Sequence, residues 1–276
     1  MGLRINTNTA ALNAQRTLSN TTRAQQASLE RLSSGNRINK SGDDAAGLAI
    51  SENLRAQIRG LRQAKRNASD GVSLVQVTEG GLNEISNILI RLRELAVQAA
   101  SDTIGDTERS FTDREFQSLK SEVQRIAENT TFNGIPLLSG RENPIDIQVG
   151  VQNKANDRLS YDTAFANVQV EALGLTDGMV GSKVGAQTSL GQIDASLKHV
   201  NEVRSTLGAM QNRLQSTINN LSIYDENLSA ANSRIRDVDI AEESSEITKQ
   251  NILQQSGVSV LAQANSSQQM ALKLLQ

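Results

Sequence analysis

The chain has no cysteine and no tryptophan among its 276 residues, one histidine, two prolines, and only four Phe and two Tyr. Without cysteine there are no disulfides, thiolate nucleophiles or thiolate metal sites, so stability must come from packing or assembly. His199 alone cannot build the two-histidine His-Glu-x-x-His zinc site, and no nucleophile-elbow motif accompanies it for a Ser-His-Asp triad. It reads as a surface or seam histidine, and no catalytic residue, metal or cofactor is expected. No glycine loop of the phosphate-binding type occurs, because Gly80-Gly81 and the glycines between 174 and 185 lack the spacing and the following Lys-Ser/Thr.

Charge of one sign is also missing. The 28 basic and 30 acidic residues leave a net −2, so no global field draws the chain onto nucleic acid or an anionic membrane. No run approaches the ~18 continuous apolar residues of a membrane helix. The opening Met1-Gly2-Leu3-Arg4-Ile5-Asn6 shows no secretory apolar core, and Asn6 stands where a myristoylation signal wants Ser or Thr. Neither a cleaved signal nor a lipid anchor is expected.

What is present is helical periodicity. Pro136 and Pro144 are the only prolines, so the chain on either side is free of the strongest helix breaker. Leu54, Ile58, Leu61, Ala68, Val72, Val75, Leu82, Ile85, Leu89, Leu92, Ala96 and Ala99 recur in steps of three and four, with Lys65 and Glu79 in two seam slots. From an N-cap at Asp43 or Asp44 to Ala100 this helix runs on the order of 80 Å, with Gly60, Gly71, Gly80 and Gly81 as candidate breaks. A second helix is expected near Thr112 to Asn129, ending before the turn Phe132-Asn133-Gly134. Ile145, Ile147, Val149 and Val151 then alternate, Asn153 to Asn156 turns, and Leu159 and Tyr161 alternate again, which predicts a hairpin; a further strand is expected at Val168 and Val170.

A third long helix keeps its spacing from Leu190 to Val238. It needs a partner of similar length, and the 54 to 99 stripe supplies it, so sequence-distant arms lie together and both tails emerge side by side. Those tails, Met1 to Lys40 and Ser244 to Gln276, are rich in Asn, Gln, Ser, Thr and Ala with sparse Leu and Ile. Such segments bury too little alone to offset ordering entropy and fold when a partner covers them. Arg55, Arg59, Arg62 and Arg66 form a basic line, and Asp239, Glu242, Glu243 and Glu246 an acidic line near the end of the third helix. Each line is either a register-fixing contact between copies or a solvated face, and the salt dependence of assembly separates the two.

The residues at both ends resemble the bacterial flagellin family. Ile5-Asn6-Thr7-Asn8, Ala11-Leu12-Asn13-Ala14, Leu29-Glu30-Arg31-Leu32-Ser33-Ser34-Gly35 and Ser41-Gly42-Asp43-Asp44-Ala45-Ala46-Gly47-Leu48-Ala49-Ile50 carry the amino-terminal likeness. Arg93-Glu94-Leu95-Ala96-Val97-Gln98, Ser233-Arg234-Ile235-Arg236-Asp237-Val238-Asp239, Leu261-Ala262-Gln263-Ala264-Asn265 and Leu274-Leu275-Gln276 continue it.

The resemblance implies a mainly α, elongated antiparallel bundle or coiled coil with a small β-hairpin region. Residues 1–43 plus 237–276 are expected to form a terminal coiled-coil inner domain. Residues 44–236 are expected to form a rod domain of three long helices with a hairpin at about 137–172. With only about 50 residues between Pro136 and Gly185, this is a short form with little or no outer insertion.

The implied function is a non-enzymatic subunit that polymerises into the extracellular flagellar filament after export through the flagellar type III channel. The assembly surface is expected at Asn6, Leu12, Leu29, Leu32, Arg55, Arg59, Arg62, Arg66, Asp239, Glu242, Glu246, Leu261, Leu272 and Leu275. The family implies an export chaperone on Ile247, Leu253, Leu261, Leu272 and Leu275, together with hook-associated and cap partners. It also implies recognition by the animal receptor TLR5 at Arg91, Leu95 and Glu115, although Ile90 stands where the family often has Gln. A hook-filament junction protein shares the terminal coiled coil and is the first rival, for which self-polymerisation onto filament seeds discriminates. A metallopeptidase-bearing flagellin is the second, opposed by the single histidine and minimal middle.

Overall fold

A computed structural model describes residues 7–141 and 143–273, with side chains to residue 270. The order is α1 (Thr9–Ser34), α2 (Ala45–Ala100), α3 (Asp106–Asn129), β1 (Thr131–Phe132), β2 (Ile135–Pro136), β3 (Ile145–Gln148), β4 (Arg158–Tyr161), α4 (Lys183–Arg236) and α5 (Ile240–Lys273). The chain divides into two compact units: residues up to Ala56 with those from Asn227 onward, and Gln57–Glu226.

Local chemistry sets the helix ends. Asn8 caps α1 by accepting the Ala11 N–H at 2.9 Å, and Gly35 ends it at φ 71. Asp44 accepts the Gly47 N–H at 2.9 Å and starts α2, as its sequence predicts. The α3 helix begins at Asp106, six residues before the expected Thr112. The turn into it is closed by Arg109, only 8% exposed, which donates from Nε to the Ala99 carbonyl at 3.0 Å, from NH2 to the Ser101 carbonyl at 2.9 Å and from NH1 to Asp106 at 2.9 Å. Carbonyls left without partners at the end of α2 are thereby satisfied.

In the second unit α2 and α4 run antiparallel. Arg62 pairs with Asp225 at 3.1 Å, the Gly71 backbone faces Leu214, and Arg93 pairs with Asp194 at 2.8 Å, so residue numbers rise on one helix as they fall on the other. The shared core holds Val75, Leu82, Ile85, Leu89 and Leu92 with Ile193, Val200, Val203, Leu207 and Leu214, as the two stripes predict. Two slots differ. Lys65 and Glu79 are exposed, and the neighbouring Ala64 and Thr78 are buried in their place. The buried stripe steps by three and then four at each slot, Leu61-Ala64-Ala68 and Val75-Thr78-Leu82, which keeps the charges in water.

Glycine breaks neither long helix. A Cβ on Gly60 would meet Val151 at 2.8 Å, on Gly71 Ile147 at 2.7 Å, and on Gly81 Thr130 at 2.7 Å. These are places where the middle of the chain presses onto α2, so close approach offsets the helix cost.

The β1–β2 ladder turns through Asn133 at φ 51 and Gly134 at φ 76, the conformation a two-residue hairpin needs. The β3–β4 ladder pairs Ile145 with Tyr161 through Gln148 with Arg158 and buries Ile147, Leu159 and Tyr161. The strand expected at Val168 and Val170 is not formed. The Val168 N–H donates to the Leu138 carbonyl at 3.0 Å and the Val170 N–H to the Gln124 side chain at 3.0 Å. Two isolated partners satisfy these donors without a ladder, and α3 continues the stapling, accepting the Val180 N–H on Asp113 at 2.8 Å.

Two expectations follow for stability. Gly80→Ala should stabilise the monomer by about 0.5–1 kcal/mol, because helix propensity improves and nothing lies within 4 Å of the new Cβ. Gly81→Ala should destabilise it by about 1–3 kcal/mol through overpacking against Thr130 and Leu138; urea unfolding of the two variants compares them directly. Burial raises the Tyr161 phenol above its ordinary 10.0, and its hydroxyl donates to the Leu137 carbonyl at 3.1 Å. A raised value means this group's contribution is complete below pH about 10 and declines above it as the unfolded phenol ionises. Tyr161→Phe should therefore flatten the alkaline fall of stability measured from pH about 9 to 11.

Candidate assembly surface

The α1–α5 pair of the first unit is built unlike an ordinary coiled coil. Residues of α1 fully turned toward α5 are Ala14, Thr21 and Ser28, seven apart, and on α5 the most buried are Glu243 and Gln250. Leu18 meets Gly257, whose missing side chain leaves room for it. Small and polar side chains thus fill the positions where a coiled coil normally places Leu and Ile.

Polar contacts hold this seam in antiparallel register. Asn8 donates to the Ala264 carbonyl at 3.1 Å, and Gln25 to Asn251 at 2.6 Å. Arg31 stands 3.9 Å from Glu243, whose Oε1 is buried without a hydrogen-bond partner among the described residues. The two interhelical connectors are stitched by backbone: the Arg37 N–H donates to the Arg236 carbonyl at 2.6 Å and the Val238 N–H to the Gly35 carbonyl at 3.1 Å. In the same unit Ser51 bonds Asn232 at 2.9 Å, and Glu52 accepts from Arg236. That guanidinium holds the Glu52 carboxyl below the usual range.

Most of the large apolar side chains of this pair are exposed. Leu12 is 58% exposed and Val260 57%, and Leu29, Leu32, Ile240, Ile252, Leu253, Val258 and Met270 are also open. Apolar side chains exposed in such number on one helix pair make this face the candidate interaction surface. Of the residues expected there, Leu12, Leu29 and Leu32 are on this outer surface, while Leu261 is half-buried. Leu272 belongs to α5 without a described side chain, and Asn6 and Leu275 lie outside the described residues. Ile240, Ile252, Val258, Val260 and Met270 were not singled out by the sequence. The heptad of Ala14, Thr21 and Ser28 is the signal that would have found the seam and, with it, the outward face.

The charged lines are redistributed. Asp239 is not at the end of the third helix but caps α5, accepting the Ala241 N–H at 2.8 Å and the Glu242 N–H at 3.2 Å. The acidic line belongs to α5 because α4 ends at Arg236 and a short connector follows. Glu242 is exposed, Glu243 is in the seam, and Glu246 bonds Gln250 at 2.6 Å and Lys249 at 3.1 Å, which together hold its carboxyl below the usual range. On α2, Arg55 pairs with Glu52 at 3.5 Å, Arg62 with Asp225, and Arg66 with Gln63 at 3.0 Å, while Arg59 is exposed.

The receptor trio is brought only partly together. Arg91 reaches Glu115 at 2.8 Å and Glu94 at 3.0 Å on an exposed face. Leu95 is 2% exposed and belongs to the core beneath, and Ile90 is open. Of the tail residues, Ile247 is half-buried and Leu253 exposed. Among the described residues no cluster of three His, Cys, Asp or Glu could hold a metal, and no helix is long and apolar enough to cross a membrane.

Residues 5–143 match the bacterial flagellin N-terminal helical region and residues 190–275 the bacterial flagellin C-terminal helical region. A flagellin of Halalkalibacterium halodurans is 46% identical over 271 residues, covering 98% of this chain and 99% of that one. A Treponema pallidum flagellin is 44% identical over 98% of this chain and 99% of its own, and the Bacillus subtilis flagellin 42% over 99% and 100%. The crystal structure of Bacillus cereus flagellin, 31% identical, matches 56% of this chain and 88% of its own at a TM-score of 0.51. A putative flagellar hook-associated protein of Vibrio parahaemolyticus, 16% identical, shares the fold over 71% of this chain and all of its own at a TM-score of 0.59. With helical regions matched at both ends and relatives aligned over nearly their full length, the chain belongs to the bacterial flagellin family, as a short form.

Proposed function

We propose that this flagellar filament subunit polymerises chiefly through the apolar side chains that α1 and α5 turn away from each other. The observation that carries the reading is the reversal of polarity in that pair: Thr21, Ser28 and Gln250 inside, Leu12, Leu29, Ile252 and Val260 outside. A monomer in water leaves that apolar area exposed, and contact with identical copies removes it. Each such side chain contributes about 1.5–3 kcal/mol when fully covered, so a handful suffices to drive assembly. Heterologous contacts of this kind do not close on themselves and extend into an open helical polymer.

The finer readings build on this surface. Residues 1–43 with 237–276 serve as the inner domain and 44–236 as the rod domain. Before assembly, the exposed Leu253 and its neighbours on α5 are the surface an export chaperone covers, and hook-associated and cap proteins meet the same helices at the filament ends. The exported subunit functions outside the cell and catalyses no reaction. The junction-protein alternative has no specific observation in its favour, since a likeness at 16% identity speaks to the fold alone.

Replacing Leu12, Leu29 and Ile252 together by Gln should leave monomer helicity unchanged, because all three are already exposed and Gln is close to Leu in helix propensity. It should raise the critical concentration for polymerisation at least about a hundredfold, the equivalent of losing about 3 kcal/mol. Sedimentation of seeded assemblies measures this, and unaltered polymerisation would refute the assignment. Ile252→Ser with Leu253→Ser should also weaken a co-purified chaperone complex. Recognition by TLR5 rests on Arg91 and Glu115, which share one exposed face. Glu115→Ala should lower the response of receptor-bearing reporter cells to monomer, whereas silence toward the unaltered monomer would overturn that reading.

A further inference from the structure

The second unit contains a groove of about 320 Å³ that polymer assembly by α1 and α5 does not use, formed by the end of β4, the turn that follows it, and α4. Its floor is apolar, with Leu159, Val203, Leu207 and Met210 all buried. Phe165 forms one wall and is 42% exposed.

That wall is held in place. The otherwise unassigned His199 ring stacks edge-on against Phe165, with centroids 5.7 Å apart at 72°, and His199 Nε2 lies 3.2 Å from the Asn167 carbonyl oxygen. Asp162 Oδ1 accepts the N–H groups of Ala164 at 2.9 Å and Phe165 at 3.3 Å, fixing the turn. The opposite rim is low, because it is formed by the small, exposed Ala209. Arg213, also at the rim, is exposed and makes no ion pair or side-chain hydrogen bond among the described residues.

An apolar floor, a fixed aromatic wall and one unpaired guanidinium form a recognisable combination. Small-molecule sites are mainly apolar with a few polar groups that fix orientation, and this volume falls at the low end of their range of about 300–1,000 Å³. A guanidinium matches a carboxylate in two parallel hydrogen bonds, and a methionine floor adapts to the shape laid on it. Asp162 carries the opposite charge at the same rim, but its Oδ1 already bonds two backbone N–H groups, whereas Arg213 has no such partner. We propose that this groove binds a small amphipathic carboxylate, its hydrocarbon body on Leu207, Met210 and Phe165 and its carboxylate on Arg213.

The composition provides the reporter. The chain has four methionines, and Met210 lines the groove whereas Met179 and Met270 are exposed elsewhere. Octanoate titrated into full-length monomer carrying ¹³C-methyl methionine should move the Met210 signal saturably and leave those of Met179 and Met270 in place. Octan-1-ol should bind about fivefold more weakly, the worth of one solvent-exposed charge contact. Arg213→Gln should make the two ligands equal. Ala209→Trp, which fills the rim, should abolish the Met210 response to both with the circular dichroism unchanged; Thr206→Trp on the same rim takes its place if that variant does not fold. The proposal is overturned if Met210, Met179 and Met270 move alike, if octanol matches octanoate, or if octylammonium binds more tightly than octanoate, which would make Asp162 the governing charge.

Discussion

The proposed assembly rests on one constraint: α1 packs against α5 through small and polar side chains, Ala14, Thr21, Ser28, Glu243 and Gln250. A seam of alanine, hydroxyls and amides gains little from leaving water, since most of what it buries is polar and must be hydrogen-bonded merely to avoid a penalty. Register is supplied by directional contacts, Asn8 on Ala264, Gln25 on Asn251 and the backbone stitch between the connectors. Much of the apolar surface of these helices stays exposed, Leu12, Leu29, Ile252 and Val260 among it, which is the area the proposed polymer contact would cover. Reversing the arrangement, with leucines in the seam, would give a more stable hairpin and remove the proposed driving force for the polymer.

The second unit follows the opposite rule. Its interior is a continuous apolar cluster from Ala68 to Leu214, closed by Phe116 on α3 and Tyr161 on the β3–β4 hairpin. Here burial within the single chain is sufficient, and polar devices act at the margins, as when Arg109 satisfies the carbonyls at the end of α2. One polypeptide thus holds a unit with a buried apolar interior and another that leaves much of its apolar surface exposed, the surface proposed to meet copies of itself. The difference lies in where Leu, Ile and Val stand relative to the seam.

Much of this was legible in the sequence because helical periodicity is strong wherever the seam is apolar. The α2 and α4 stripes predict their own pairing, while Asp44 at the start of α2 and the Asn133-Gly134 turn after α3 are read from chemistry that acts locally. What escaped was decided by tertiary contact. Lys65 and Glu79 fit the spacing, but Ala64 and Thr78 fit it equally as steps of three then four and are the ones inside, because a buried unpaired charge is costly. Val168 and Val170 have the composition of a strand, yet Leu138 and Gln124 satisfy their N–H groups one at a time. In α5 the apolar residues are spread around the helix, so periodicity identifies no face, and Ile252 and Val260 become interpretable only once Gln250 and Gly257 are seen against α1.

The glycines of α2 show the same division between local and tertiary causes at a single step of the chain. Gly80 and Gly81 are adjacent and both cost the helix about 1 kcal/mol against alanine. Gly81 lies under Thr130 and Leu138, where any side chain would collide, while Gly80 opens to space. Packing within this chain therefore accounts for one glycine and not the other, although the sequence presents them as equivalents. The same asymmetry separates seam from surface throughout the molecule: a residue's type states what it can do, and its neighbours determine whether that capacity is satisfied internally or left for contact with another subunit.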